Sequence, residues 1–184
     1  MKKIDSFFVL IESGKADIKD AESVIKKLSE TAKKGVFLQA LRAEAICGEE
    51  QALFAAKHAI TATKEGTGFS NRMEIELLLR ATATRQIGKA LEIAGISNAT
   101  KDIAIVGISE NEKELESAAQ QLKKEIFFKA EPELPQGTCK KNRAFLLKAF
   151  GITEKELATL ADLGEEKALE SAIIEKIALN SLNQ

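Results

Sequence analysis

Apolar positions along the chain follow two periods. Phe7-Phe8-Val9-Leu10-Ile11 is a short continuous apolar run between Ser6 and Ser13-Gly14, and it predicts a strand buried on both faces. Ala21, Val24, Ile25, Leu28 and Ala32 then recur at helical spacing, with Asp17 and Asp20 placing negative charge at the start and Gly35 as the stop. The stretch from Val36 to Ile46 partly alternates and reads as a second strand. Residues 49 to 64 predict an amphipathic helix with Ala52, Ala56, Ala59, Ile60 and Thr63 on one face. After the loop Glu65-Gly66-Thr67-Gly68-Phe69-Ser70, Asn71 stands as an N-cap with Glu74 as its box partner, opening a helix over about 72–82. A break at Thr82–Thr84 precedes a further helix that turns Ile87, Leu91 and Ala94 inward and ends at Gly95-Ile96 in a Schellman motif.

Ile103 to Ile108 is the strongest strand signal. Ser109, with Glu112, predicts the cap of a helix that buries Leu115, Ala118, Ala119 and Leu122. Ile126-Phe127-Phe128 reads as a short edge strand, and residues 131–140 as an irregular connection. The tail is helical: Phe145–Phe150 ends at Gly151, Thr153-x-x-Glu156 opens a short helix, and Leu169, Ile173, Ile174 and Ile177 mark the last one. This order predicts a mixed α/β fold. One small sheet of about 3–5 strands packs with many helices in a single domain over 1–184, with a helical C-terminal layer from about residue 142.

Composition narrows the function classes. Of 184 residues, 45% are hydrophobic and 30% charged, with 2 prolines, as expected of a globular chain. Lys and Arg number 27 against 28 Asp and Glu, so a duplex-binding surface charge is excluded and any nucleic-acid contact must be local. The apolar run near the N-terminus is too short for a signal h-region or a membrane span, which predicts a cytoplasmic protein without membrane contact. Cys47 and Cys139 lack metal-ligand spacing, and free buried thiols are the preferred reading over a disulfide.

The catalytic inventory is thin. The chain has no P-loop, HExxH or GxSxG motif, and Gly66-Thr67-Gly68 lacks the rest of a dinucleotide fingerprint. His58 is the only imidazole, which removes most metal sites and triads and reads as a half-buried helix residue or, alternatively, as a pocket residue near a phosphate or base. No cofactor or metal is expected. Cationic and amide side chains concentrate between 57 and 89: Lys57, Lys64, Asn71, Arg72, Arg80, Arg85, Gln86 and Lys89. Arg72, Glu76 and Arg80 share one helix face, which fits a salt-bridge ladder. It fits equally an anion site in which Arg85 and Gln86 occupy the first turn of the next helix, where free N–H groups and the dipole favour a phosphate. A second basic run, Lys140-Lys141-Asn142-Arg143, reads as a solvated helix start or an auxiliary RNA-backbone contact.

Ser70-Asn71, Ile75-Glu76-Leu77-Leu78, Arg80-Ala81-Thr82, Arg85-Gln86-Ile87, Ala90 and Gly95-Ile96 together resemble the signature of the KEOPS/EKC regulatory subunit family, the PRPK-binding (TPRKB) type. His58-Ala59 is similar to the family's helix before the 65–70 loop, and the closing Ile174–Leu179 segment resembles the last helix of its archaeal members. The chain departs from the pattern at Thr82-Ala83, where many members carry a small residue and Gly. The resemblance implies a non-catalytic regulator in the assembly that makes threonylcarbamoyladenosine in tRNA. Its implied partners are the kinase-like ATPase subunit and the single-stranded 3′ CCA end of tRNA. Carried onto this chain, the implied RNA contacts are Asn71, Arg80, Arg85, Gln86 and Ile87, with Lys57 and His58 beside them, and Glu76 and Gly95 as structural motif positions. Two other classes remain open: an adaptor that binds protein without RNA, and a small-molecule enzyme using the 57–89 region.

Overall fold

A computed structural model describes residues 1–131 and 139–182. Its centre is an antiparallel sheet of β1 (Lys2–Ile4), β2 (Phe7–Lys15), β3 (Val36–Arg42), β4 (Asp102–Ser109) and β5 (Lys129–Ala130), ordered β1-β2-β4-β3, with β5 pairing the far end of β2. The central strand β4 is flanked in register on both sides, Val9 opposite Ile108 and Leu38 opposite Gly107. It therefore needs apolar side chains on both faces, which explains the unbroken run of buried residues from Ile103 to Ile108.

Alternation along the strands feeds two cores. Leu10, Leu38, Ile103 and Ile105 pack beneath α1 (Ala21–Ala32) and α5 (Glu112–Glu125). Val9, Leu41, Val106 and Ile108 pack on the opposite face beneath α2 (Glu49–Glu65), α3 (Met73–Ala81) and α4 (Ile87–Ala94). A third cluster joins α6 (Arg143–Phe150), α7 (Glu154–Ala158) and α8 (Glu165–Leu182) through Leu146, Phe150, Leu157, Leu169, Ile173 and Ile177, and Phe54 of α2 packs against it. The mixed α/β class and the helical C-terminal region are as the sequence predicts. The Thr153 capping box forms, with the Thr153 side chain accepting from the Glu156 N–H and the Glu156 carboxylate accepting in return. Lys176 also grips the Glu156 carboxylate, and with the Thr153 bonds it holds that group down to about 2.

Several local expectations are corrected. The second strand stops at Arg42, and Ala43–Ala45 form a 3-10 turn that directs the chain into α2. Ser109 is the last residue of β4; its hydroxyl donates to Gly35 O and accepts from the Asn111 N–H, while Asn111 caps α5 by accepting from the Glu114 N–H. The edge strand lies at Lys129–Ala130, because Ile126 closes α5 as a buried cap and Phe127 turns the chain with a positive φ of 50°. In α4 the buried face is Ala90, Ile93 and Ala94, leaving Ile87 and Leu91 outside. Gly95 ends α4 in an extended conformation, not a left-handed Schellman turn, and its N–H bonds Leu91 O. A Cβ there would stand 2.5 Å from that same carbonyl, so close approach is what requires the glycine. The expectation for 131–140 falls largely outside the described residues, although 139–141 are helical.

The cysteines are also corrected. Cys47 and Cys139 form a disulfide with Cα atoms 4.5 Å apart, not two free thiols. Their separation of 92 residues gave the sequence no spacing to read, and the helical turn at 139–141 is what brings the second cysteine over the start of α2.

Candidate functional site: the junction of α3 and α4

The break between α3 and α4 is built locally. The Thr82 hydroxyl donates back to Leu78 O at 2.8 Å, sharing that acceptor with Thr82's own N–H at 3.2 Å. Ala83 then takes φ 48°, the left-handed region. The Thr84 N–H bonds Leu79 O and closes the turn, and the Gln86 N–H reaches the Thr84 hydroxyl at 3.3 Å. A left-handed residue favours glycine, and here the position is filled by an alanine. Alanine is the smallest side chain that fits in its place. Residues 85–89 emerge exposed, and the first backbone amides of α4 open among them.

Behind this corner lies a buried ionic centre. Arg80 is 2% exposed and Glu76 0%, and the Arg80 Nε donates to Glu76 Oε1 at 2.6 Å one turn away. The other Glu76 oxygen accepts the Ser70 N–H at 2.9 Å, which fastens the preceding loop to α3. Arg80 Nη1 donates to Ser181 Oγ at 2.5 Å, near the end of α8. Phe69 packs against two guanidinium groups, its ring centre 4.0 Å from Arg80 Cζ and 4.7 Å from Arg85 Cζ. Arg85 donates to Asn180 O at 2.8 Å, so both arginines hold the last turn of α8. The proposed anion contact at Arg80 thus has its guanidinium committed to internal partners, while Arg85 stays at the surface.

His58 joins the same group from α2. Its ring stacks tilted on Phe54, with centroids 4.4 Å apart, and Nδ1 meets Ser181 Oγ at 3.3 Å. Burial holds its pKa below the ordinary histidine range, and the Arg80 and Lys57 charges add to the shift. The ring is therefore neutral at neutral pH. Lys57 beside it is exposed.

The structure divides the remaining predicted residues. Gln86 stands at the N-cap position of α4 without a side-chain cap bond, exposed beside Arg85. Ile87 is 48% and Leu91 49% exposed, one turn apart on α4. Asn71 does not cap α3; Arg72 takes that position, and the Ser70 hydroxyl accepts its N–H. Asn71 lines a separate cleft of about 380 Å³ with Ser29, Lys33 and Phe37. Arg72 pairs with Glu74 and reaches Ser29 on α1, so the expected Arg72–Glu76–Arg80 ladder reduces to the Glu76–Arg80 pair. Lys64 pairs with Asp5 at 3.0 Å.

Sequence reasoning missed one buried polar node. Gln51 is fully buried at the start of α2; its side chain accepts the Cys47 N–H and donates to Ala45 O and Ala81 O. Its own N–H donates to the carboxylate of Glu170 on α8 at 3.1 Å, where a negative charge faces the N-terminus of α2. Gly48 leaves room for that carboxylate: a Cβ there would sit 2.2 Å from Glu170 Oε1. Gln51 lies among alanines on the apolar face, a polar misfit that was the available signal. Among the described residues no group of three or more His, Cys, Asp or Glu is placed to hold a metal, and no helix is long and apolar enough to cross a membrane.

Fold and site define a mixed α/β protein whose candidate site is an exposed helix junction braced from within by an ion pair. The chain belongs to the kinase binding protein CGI-121 family, whose model matches residues 16–181. No individual curated protein matches it. The family is kinase-binding and regulatory in character, which agrees with the resemblance read from residues 70–96.

Proposed function

We propose that this chain is the non-catalytic regulatory subunit of a KEOPS assembly, docking on the kinase-like ATPase through α4 and offering the Arg85 corner to the single-stranded 3′ CCA end of tRNA. The observation that carries the docking reading is the exposed apolar pair Ile87 and Leu91 on a helix whose other face is fully used in the core. The last turns of α8, which Arg85 ties to the same corner, add the exposed Leu179 and Leu182. Apolar area of this kind beside a polar margin suits a protein partner.

The RNA reading rests on Lys57, Arg85, Gln86 and Lys89, all exposed. Arg85 precedes the free amides of α4, where charge-assisted hydrogen bonds and the helix dipole would act on one phosphate. Gln86 would meet a base edge and Ile87 the face of a splayed base at the margin of the protein contact. Arg80 and His58 enter as positioning residues that hold α8 and Phe69 behind Arg85. A near-neutral chain supports a contact of this small size.

A catalytic reading finds less support. The serine–histidine contact does not prepare a nucleophile, because Ser181 Oγ donates to Ile177 O and accepts from Arg80, and His58 is held neutral and weakly basic.

The test uses the purified chain with the kinase-like subunit and with tRNA. Leu91→Asp is expected to weaken kinase binding at least about tenfold, the scale of an interface anchor. Arg85→Glu is expected to weaken tRNA binding and spare the kinase. Failure to bind the kinase-like subunit at micromolar concentration overturns the docking reading. Equal affinity for intact tRNA and for tRNA lacking CCA overturns the RNA reading and leaves the protein-only adaptor.

A further inference from the structure

We propose that the Cys47–Cys139 disulfide is a redox latch that holds the C-terminal helical layer closed over α2 and thereby sets the geometry of the Arg85 corner. Its effect on binding rests on the functional reading above; its effect on the layer does not.

The latch position follows from connectivity. Cys47 sits where the chain leaves the sheet for α2, and its N–H is fixed by Gln51. Cys139 lies in the helical turn that opens the C-terminal layer. Both are buried in the cluster that joins α6, α7 and α8, within 4.0 Å of Glu166 O at the start of α8. The covalent bond therefore holds the N-terminal end of that layer. Noncovalent contacts hold the rest: Glu170 on the Gln51 N–H, Lys167 on Glu50, and at the far end Ser181 and Asn180 under Arg80 and Arg85. With the disulfide intact, the layer is held covalently where it begins at Cys139 and by these contacts along α8. With it reduced, only polar contacts and the apolar packing of the third cluster remain.

Reduction is a two-electron exchange with a dithiol. One reductant thiolate attacks a sulfur of the pair, the S–S bond breaks, and a mixed disulfide forms. The second reductant thiolate then displaces the protein sulfur, leaving Cys47 and Cys139 as two protonated thiols and the reductant as a disulfide. Because both sulfurs are buried, the reductant gains access when the C-terminal layer opens locally, so latch and layer are coupled in both directions. Opening removes Ser181 from Arg80 and Asn180 from Arg85, and so loosens the corner assigned to binding.

The test compares the full chain, oxidised and after treatment with dithiothreitol, by amide hydrogen exchange and by binding to tRNA. The expected result is exchange at least about tenfold faster in 143–182 on reduction, with β2 and β4 unchanged. A Cys47→Ala/Cys139→Ala variant should exchange like the reduced form and show no response to dithiothreitol. Two titratable thiols in protein prepared without reductant, no change in 143–182, or an equal rise in β2 and β4 would each overturn the latch. Affinity for tRNA is expected to fall on reduction; equal affinity of the two forms overturns the functional half. If neither form binds tRNA, the RNA reading fails and hydrogen exchange alone judges the latch.

Discussion

Arg80→Ala tests whether the buried ion pair is the scaffold of the junction. The substitution leaves Glu76 fully buried with the Ser70 N–H as its remaining partner. Breaking a buried pair from one side costs about 3–5 kcal/mol, because the surviving charge stays desolvated and uncompensated. Loss of the contact with Phe69 and of the bond to Ser181 overlaps this cost and does not add to it in full. For a chain of this size, each kcal/mol corresponds to roughly 2–4 °C in Tm, so a fall of about 6–20 °C is expected. Urea unfolding followed by circular dichroism gives the free energy, and a thermal scan the Tm. The double variant Glu76→Met/Arg80→Met removes both charges while keeping most of the volume, and should recover much of the loss, short of about 1 kcal/mol for the orphaned Ser70 N–H. A single variant within about 1 kcal/mol of the parent would refute the scaffold role. So would a double variant as unstable as the single one.

Two further outcomes concern neighbouring residues. His58 has a lowered pKa when folded, so below pH 6.5 the unfolded chain takes up its proton first and stability falls as pH falls, by up to about 1.4 kcal/mol per pH unit until the folded form also protonates. Urea unfolding at pH 7.5 and 5.5 should show a smaller pH difference for His58→Gln than for the parent, and equal differences would contradict the shift. Gly48→Ala drives a Cβ into the Glu170 carboxylate, which must leave the Gln51 N–H, and a loss of about 1–3 kcal/mol is expected in the same assay.

Most of the sheet and the two layers beside it were legible because their signals are local, whereas β1, short and largely exposed, carries no apolar run and was not legible. Ile103 to Ile108 is apolar on every residue and becomes the central strand; Leu115, Ala119 and Leu122 repeat at helical spacing and become a buried stripe. The features that were not legible depend on contacts far apart in sequence. Ile87 and Leu91 match the period of a buried face as well as Ala90, Ile93 and Ala94 do, and only the packing of α4 on the core selects the second set. Cys47 and Cys139 lie 92 residues apart, and Gln51 meets Glu170 across 119. No periodicity encodes such pairings.

The cationic stretch of the site depends on the same long-range contacts. A salt-bridge ladder and an anion site appeared as alternatives because the sequence does not say whether an arginine near the Thr82 break faces inward or outward. The fold gives the two roles to different arginines. Arg80 lies beneath α8, some hundred residues downstream, where Ser181 and Glu76 use its donors. Arg85 lies just past a left-handed Ala83 that turns the chain out of α3, so its charge reaches the surface although one donor holds Asn180 O. Phe69 stacks on both, which couples the internal pair to the external charge through one ring. A change that displaces Arg80 therefore moves the platform on which Arg85 rests. Charge at this corner cannot be varied independently of the buried pair unless the variant is made at Arg85 itself.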